Sequence, residues 1–193
     1  MAKKLKNPTK VITGPETRWS YVNVWDPKSL NNGPERYSIS LIIPKTDKET
    51  IDAVNAATAA AHENGAAKLR GNGRSVPPLS AIKTPLRDGD VERPDDEAYA
   101  NSYFLNANAT NPPGIVDANC KPIMDRSEVY SGCYGRASIT FYAFNSNGNR
   151  GIAVGLNNLQ KIRNGEPLDG HTRAEDDFAD FDDDNDDFLD YYK

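Results

Sequence analysis

The stretch from Tyr134 to Leu156 constrains the fold more than any other part of the chain. It runs from Tyr134 to Phe144, turns at Asn145-Ser146-Asn147-Gly148-Asn149, and returns from Arg150 to Leu156. Two runs rich in β-branched and aromatic residues around an Asn/Gly turn predict a hairpin. Successive side chains on a strand point to opposite faces, so Ala137, Ile139, Phe141 and Ala143 share one side. Tyr134, Arg136, Ser138, Thr140, Tyr142 and Phe144 share the other. The first set is a core face. The second brings together a cation, hydroxyls and aromatics, the composition of a surface on which bases stack while arginine meets phosphate. A second packed face with an arginine at its rim would carry the same residues.

Charge separates two regions. The 193 residues carry a net charge of −5. Ala174 to Lys193 holds ten Asp or Glu and one Lys, a net of −9, while the preceding residues carry 22 Lys or Arg and 18 Asp or Glu, a net of +4. A mildly basic body with a polyanionic tail is more informative than the total. The expected division is a folded domain over residues 1–173 and a disordered acidic tail over 174–193, where dense like charge and few aliphatics oppose folding. No apolar run approaches the ~20 residues of a membrane-spanning helix. Met1-Ala2-Lys3-Lys4-Leu5-Lys6 lacks the apolar centre of a secretion signal, so a cytoplasmic protein without a membrane partner is expected. Cys120 and Cys133 make neither a disulfide framework nor a metal knuckle.

In chain order, a loose basic arm over Lys3–Lys10 precedes a strand from Arg18 to Trp25, ended by Asp26-Pro27. Val22 and Val24 suit a core, which places Trp19, Tyr21, Asn23 and Trp25 on the opposite face as an aromatic ladder. After the turn Asn31-Asn32-Gly33-Pro34, a strand from Arg36 to Ile43 sets Tyr37, Ile39, Leu41 and Ile43 against Arg36, Ser38 and Ser40. Thr46-Asp47-Lys48-Glu49 reads as a capping box opening an Ala-rich helix that stops near Asn64-Gly65. Lys68 to Arg74 is a flexible basic loop whose Arg70 and Arg74 could close over phosphates or simply sit at the surface. It lacks the Lys-Ser/Thr of a P-loop. Pro77 to Tyr99 is irregular. Tyr103–Ala109, Ile115–Asp117 and the hairpin supply the later strands, and the second hairpin strand carries on through Arg163. Short alternating strands with one helix between the early and late ones predict a mainly β chain, an OB-fold-like Greek-key barrel. A helix-decorated sandwich would give nearly the same pattern.

Five segments carry a resemblance to a family of phage and prophage single-stranded DNA-binding proteins. They are Ser20-Tyr21-Val22-Asn23-Val24-Trp25, the run Tyr37 to Lys45, Leu86-Arg87-Asp88-Gly89-Asp90, the run Ser127 to Tyr134, and Gly155-Leu156-Asn157-Asn158-Leu159-Gln160-Lys161. The resemblance implies an OB-fold core, a DNA groove lined by aromatic and basic residues, and work in replication, recombination or repair in the host cytoplasm. Strand parity and loop charge nominate the contacts: Arg18, Tyr21, Trp25, Arg36, Arg70, Arg74, Tyr103, Tyr134, Arg136, Tyr142, Phe144 and Arg150. Single-stranded DNA-binding proteins of bacteria and of T7-like phages end similarly, in an acidic stretch with apolar residues that recruits replication partners. Here Phe188, Leu189, Tyr191 and Tyr192 would serve such partners, phage or host. The sequence leaves oligomeric state open, a homodimer included.

Enzyme readings find little support. His62 and His171 are the only histidines, and the sequence shows no nucleophile–base arrangement. Asp88-Gly89-Asp90-Val91-Glu92 lacks the loop glycine and distal glutamate of a calcium loop, and Asp182-Asp183-Asp184-Asn185-Asp186 is followed by Asp187 where glycine is required. No catalytic residue, metal ligand or cofactor is assigned. The alternatives are a metal-dependent nuclease of phage recombination and an acidic-tailed structural or DNA-mimic protein.

Overall fold

The computed structural model describes residues 7–29 and 32–168. Its strands are β1 (Lys10–Ile12), β2 (Arg18–Ser29), β3 (Glu35–Pro44), β4 (Arg87–Asp88), β5 (Ser102–Ala109), β6 (Gly114–Val116), β7 (Tyr134–Ser146) and β8 (Asn149–Arg163). Its α-helices are α1 (Lys48–Asn64), α2 (Ala66–Arg70) and α3 (Gly89–Glu92). Five strands close into a ring. β2 pairs antiparallel with β3, β3 with β5, and β7 with β8, while β5 runs parallel to β8 through Asn108 and Gly155. The ring closes where Arg18 of β2 meets Tyr134 of β7. This is the five-stranded Greek-key plan of an OB-fold. The predicted hairpin is its longest element, with Ala137, Ile139, Phe141 and Ala143 all buried.

The first strand departs from the expected parity. Ser20 pairs with Ser40 but Asn23 pairs with Ser38, so three steps on β2 match two on β3. The extra residue is a β-bulge, and Tyr21 adopts φ 46° within it. Alternation is broken there, so Trp19 and Val24 both enter the core, and Trp19 is 0% exposed. The expected aromatic ladder therefore does not form. Tyr21 alone stands clear, at 58% exposed. β2 also continues through Asp26-Pro27 to Ser29, because Pro27 falls in a second register irregularity where no ladder N–H is required.

Other boundaries shift for local reasons. Lys10 does not belong to a loose arm: β1 pairs with Ser138 to Thr140 and buries Val11. The helix cap is Asp47 and not Thr46. Its carboxylate accepts from the Thr50 amide at 3.2 Å and from the Thr50 hydroxyl at 2.7 Å, and that hydroxyl accepts from the Gly14 amide. One carboxylate thus caps α1 and, through Thr50, ties it to the β1–β2 connection. Lys68 to Arg70 lie in α2 and are not part of a loop. Gly65 joins the two helices because a side chain there would collide with Ala143. On β3, Ile39, Leu41 and Ile43 face the barrel core, but Ser40 and Ile42 are buried too. Tyr99 and Phe104, stacked edge to face at 5.0 Å, cover them from outside.

The irregular segment before β5 is pinned to the barrel by Lys45, whose ammonium lies 2.9 Å from Asp88 and 2.8 Å from Asp90. This accounts for the acidic run at residues 88–92. The Lys45 hydrogen bond, then the Asn101 amide, hold the Asp90 carboxyl below its usual range, and the same pairing raises Lys45. Among the described residues no helix is long and apolar enough to cross a membrane. The tail residues Phe188, Leu189, Tyr191 and Tyr192, together with His171, lie outside the described residues.

Two measurements check this architecture. Trp19→Ala should lower unfolding free energy by roughly 3–5 kcal/mol in urea titrations, whereas Tyr21→Ala should change it by less than about 0.5 kcal/mol. Because the folded Asp90 pKa is depressed, its contribution is present above the unfolded carboxylate value of about 3.9 and disappears as pH falls through the folded value. Asp90→Asn should therefore melt below the parent at neutral pH, and the gap should close as the pH falls below about 4.

Candidate nucleic-acid interface

The outer face of β3 is low in its middle. Its outward row is Arg36, Ser38 and Ser40, two small side chains beside one long one. Longer side chains flank the serines on both neighbours: Tyr21, Asn23 and Lys28 on β2, and Asn106 and Asn108 on β5. The result is a cavity of about 470 Å³ floored by β3. Arg93, just past α3, reaches its rim while its guanidinium rests 5.8 Å from the Tyr99 ring and 5.7 Å from the Phe104 ring. The Lys45 clamp thus positions a cation that the linear sequence hides in a Pro/Asp-rich segment.

A second depression of about 490 Å³ continues from the first. Arg36 and Asn108 line both, and the Arg36 guanidinium donates to Asn108 Oδ1 at 3.3 Å. Beyond them lie Tyr142 on β7, 42% exposed, and Gly155 and Asn157 on β8. The Tyr142 ring lies beside Gly155, and Asn157 donates to the Thr140 hydroxyl at 2.9 Å. Two residues on, Phe144 packs by Gly151 next to Lys83. The end of α2 and the turn after it dock on this end of the hairpin: Asn145 donates to the Lys68 carbonyl at 3.0 Å, and Arg150 reaches toward Gly71. Arg70 and Arg74 are exposed on that segment. None of the residues lining the two depressions is acidic.

The structure therefore brings Tyr21, Arg36 and Tyr142 into one groove and places Phe144, Arg150, Arg70 and Arg74 at or near its hairpin end. The remaining nominated residues sit elsewhere. Arg18 donates to the Gly132 and Glu166 carbonyls and stacks 5.2 Å from the Tyr134 ring, which Arg163 also approaches at 3.7 Å. That group fastens the segment after β8 to the barrel. Arg136 is half-buried across from Gln160. Trp25 is half-buried against the core with Arg126 5.9 Å over its ring. Tyr103 lies under α1 and the 79–86 segment, with Lys45 5.1 Å from its ring. Asn23, Lys28, Arg93, Asn106 and Asn108 complete the groove and were not nominated. For the two β5 asparagines a signal existed, since they alternate with Leu105 and Ala107 on a buried strand.

His62 Nε2 lies 2.7 Å from the Pro77 carbonyl, a structural tie. Among the described residues no three His, Cys, Asp or Glu converge on a point that could hold a metal ion.

The profile of one protein family, described as the single-stranded DNA-binding protein of Enterobacter phage Enc34, matches residues 9–189. Protein p50 of Acyrthosiphon pisum secondary endosymbiont phage 1 is 28% identical over 161 residues, 79% of this chain and 83% of that one. The single-stranded DNA-binding protein from bacteriophage Enc34, solved in complex with single-stranded DNA, superposes with a TM-score of 0.72 at 20% identity, over 86% of this chain and 96% of that one. The same fold recurs in gp2.5, a single-stranded DNA-binding protein encoded by bacteriophage T7, with a TM-score of 0.58 at 14% identity, over 89% and 93% of the two chains. The chain belongs to the phage Enc34 single-stranded DNA-binding protein family.

Proposed function

We propose that this member of the family holds single-stranded DNA across the outer face of β2, β3 and β5 and onward over Tyr142 to the tip of the β7–β8 hairpin. One observation carries the reading. Two contiguous depressions are lined by exposed tyrosines, amides and the cations Lys28, Arg36 and Arg93, without a single carboxylate. Such a groove attracts a polyanion while its aromatic rings accept the faces of any base. The outer face of the second and third barrel strands is also where OB-folds commonly hold oligonucleotides. Protection of single strands in phage replication, recombination or repair, in the host cytoplasm and without catalysis, follows from such a surface. The segment Ala174–Lys193 then acts as a second functional unit, offering Phe188, Leu189, Tyr191 and Tyr192 to replication proteins.

Binding should be sequence-tolerant in the main and should weaken linearly in log–log plots against salt, as bound cations release counterions. Fluorescence anisotropy checks this. Tyr21→Ala and Tyr142→Ala should each weaken binding by roughly 1–3 kcal/mol, and Arg36→Ala should lower the salt slope by about one unit or less. Tyr103→Ala should leave affinity unchanged. Equal affinity for duplex and single strands, or a flat salt response, would contradict the reading. Deleting Ala174–Lys193 should tighten binding most at low salt, since a net charge of −9 tethered to a +4 body competes for the groove.

A further inference from the structure

The cavity over Ser38 and Ser40 has the shape and the hydrogen-bonding asymmetry of a nucleobase subsite. Asn23 on β2, Ser38 on β3 and Asn108 on β5 form one rung of the sheet, because Ser38 pairs with both. Strands lie about 4.8 Å apart, so the Cα atoms of the two asparagines lie roughly 10 Å apart across the short serine. That gap accommodates the edge of one base and a hydrogen bond at each end. Tyr21 lines the same cavity and offers an exposed ring for stacking.

Both asparagines have fixed orientations. The Asn23 amide nitrogen donates to the Tyr21 carbonyl at 3.2 Å and to the Ser38 hydroxyl at 3.3 Å, and a carbonyl can only accept. Its Oδ1 is left as an acceptor. Asn108 is fixed the opposite way, because its Oδ1 accepts from the Arg36 guanidinium, which can only donate. Its amide nitrogen is left as a donor. Asn106, one rung along, has no such tie among the described hydrogen bonds and can turn either way to suit a base.

We propose that this cavity draws one base out of the bound strand and reads its pairing edge, favouring cytosine and guanine over thymine. Cytosine presents an amino group at one end of that edge and a carbonyl at the other, matching the Asn23 acceptor and the Asn108 donor. Guanine presents the same two groups in reverse order. Thymine carries carbonyls at both ends, so one of them must face Asn23 Oδ1 and leave it unpaired. A site built to hydrogen-bond a ligand discriminates against analogues that lack the matching group. The inference rests on the single-strand reading above and adds a base preference to it.

The test compares dC15 and dT15 by anisotropy at mildly alkaline pH and fixed salt, with the full chain, Asn23→Ala and Asn108→Ala. The two pyrimidine strands have the same length and charge, so the ratio isolates the edge. The parent should bind dC15 roughly three- to tenfold tighter than dT15, the worth of about one net hydrogen bond. Asn23→Ala should bring the ratio to within about twofold, chiefly by weakening dC15. Because Asn23 also braces the Tyr21 bulge, Asn108→Ala is the second probe: it lies across the cavity and should narrow the ratio with an unchanged melting temperature. A parent ratio near one, or variants that weaken both strands equally, would overturn the base subsite and leave single-strand binding standing. Failure of both oligonucleotides to bind the parent would overturn the single-strand reading, and this inference with it.

Discussion

The bulge at Tyr21 is the constraint on which the rest of the site depends. A tyrosine at φ 46° sits in the left-handed region that residues with a Cβ enter at a cost of about 1–3 kcal/mol. The neighbouring chain holds it there. The Trp19 amide donates to the Cys133 carbonyl, and the Trp19 carbonyl accepts from the Gly132 amide, both at 2.8 Å. The Val22 amide donates to Ser131 Oγ and the Asn23 side chain donates to the Tyr21 carbonyl. One extra residue in β2 then has two effects at once. Trp19, before the bulge, fills the barrel, and Tyr21, within it, stands over the groove. A regular strand would have put both rings on the same face and lost one of the two roles.

The groove itself comes from size differences between neighbouring side chains and needs no dedicated loop. Serines on the middle strand, with asparagines, a tyrosine and a lysine beside them, make a hollow on a sheet surface. Its charge is arranged with similar economy. Of the carboxylates just upstream of Arg93, Asp88 and Asp90 are occupied by Lys45 and Glu92 lies 3.7 Å from Arg87, while the arginine itself reaches the rim. Arg18, Arg126 and Arg163 are likewise engaged by carbonyls, carboxylates or aromatic rings.

How much of this was legible in the sequence depended on whether alternation ran uninterrupted. β7 could be read residue by residue because period two persists along it from Tyr134 to Ala143. β2 could not, because a bulge inserts one residue without any Gly or Pro to announce it, and Tyr21 itself supplies the positive φ. The double-sided burial of β3 was hidden for a different reason: the cover over Ser40 and Ile42 comes from Tyr99 and Phe104, dozens of residues downstream. Of the groove, Tyr21, Arg36 and Tyr142 were legible from parity and chemistry. Lys28 lay past a proline that reads as a strand end, Arg93 lay in a segment without periodicity, and the asparagines lay on predicted strands but carry neither the charge nor the ring by which contacts were chosen.

Amide chemical-shift mapping with a short single-stranded oligonucleotide is the most direct test of this placement. The account predicts that perturbed and broadened amides cluster on the outward rows around Tyr21, Ser38, Asn106 and Tyr142 and extend to the β7–β8 tip. Amides of α1 and of Thr84 and Leu86, on the Tyr103 side of the barrel, should stay where they are. Perturbation centred on Tyr103 and α1, with the β3 face silent, would contradict it.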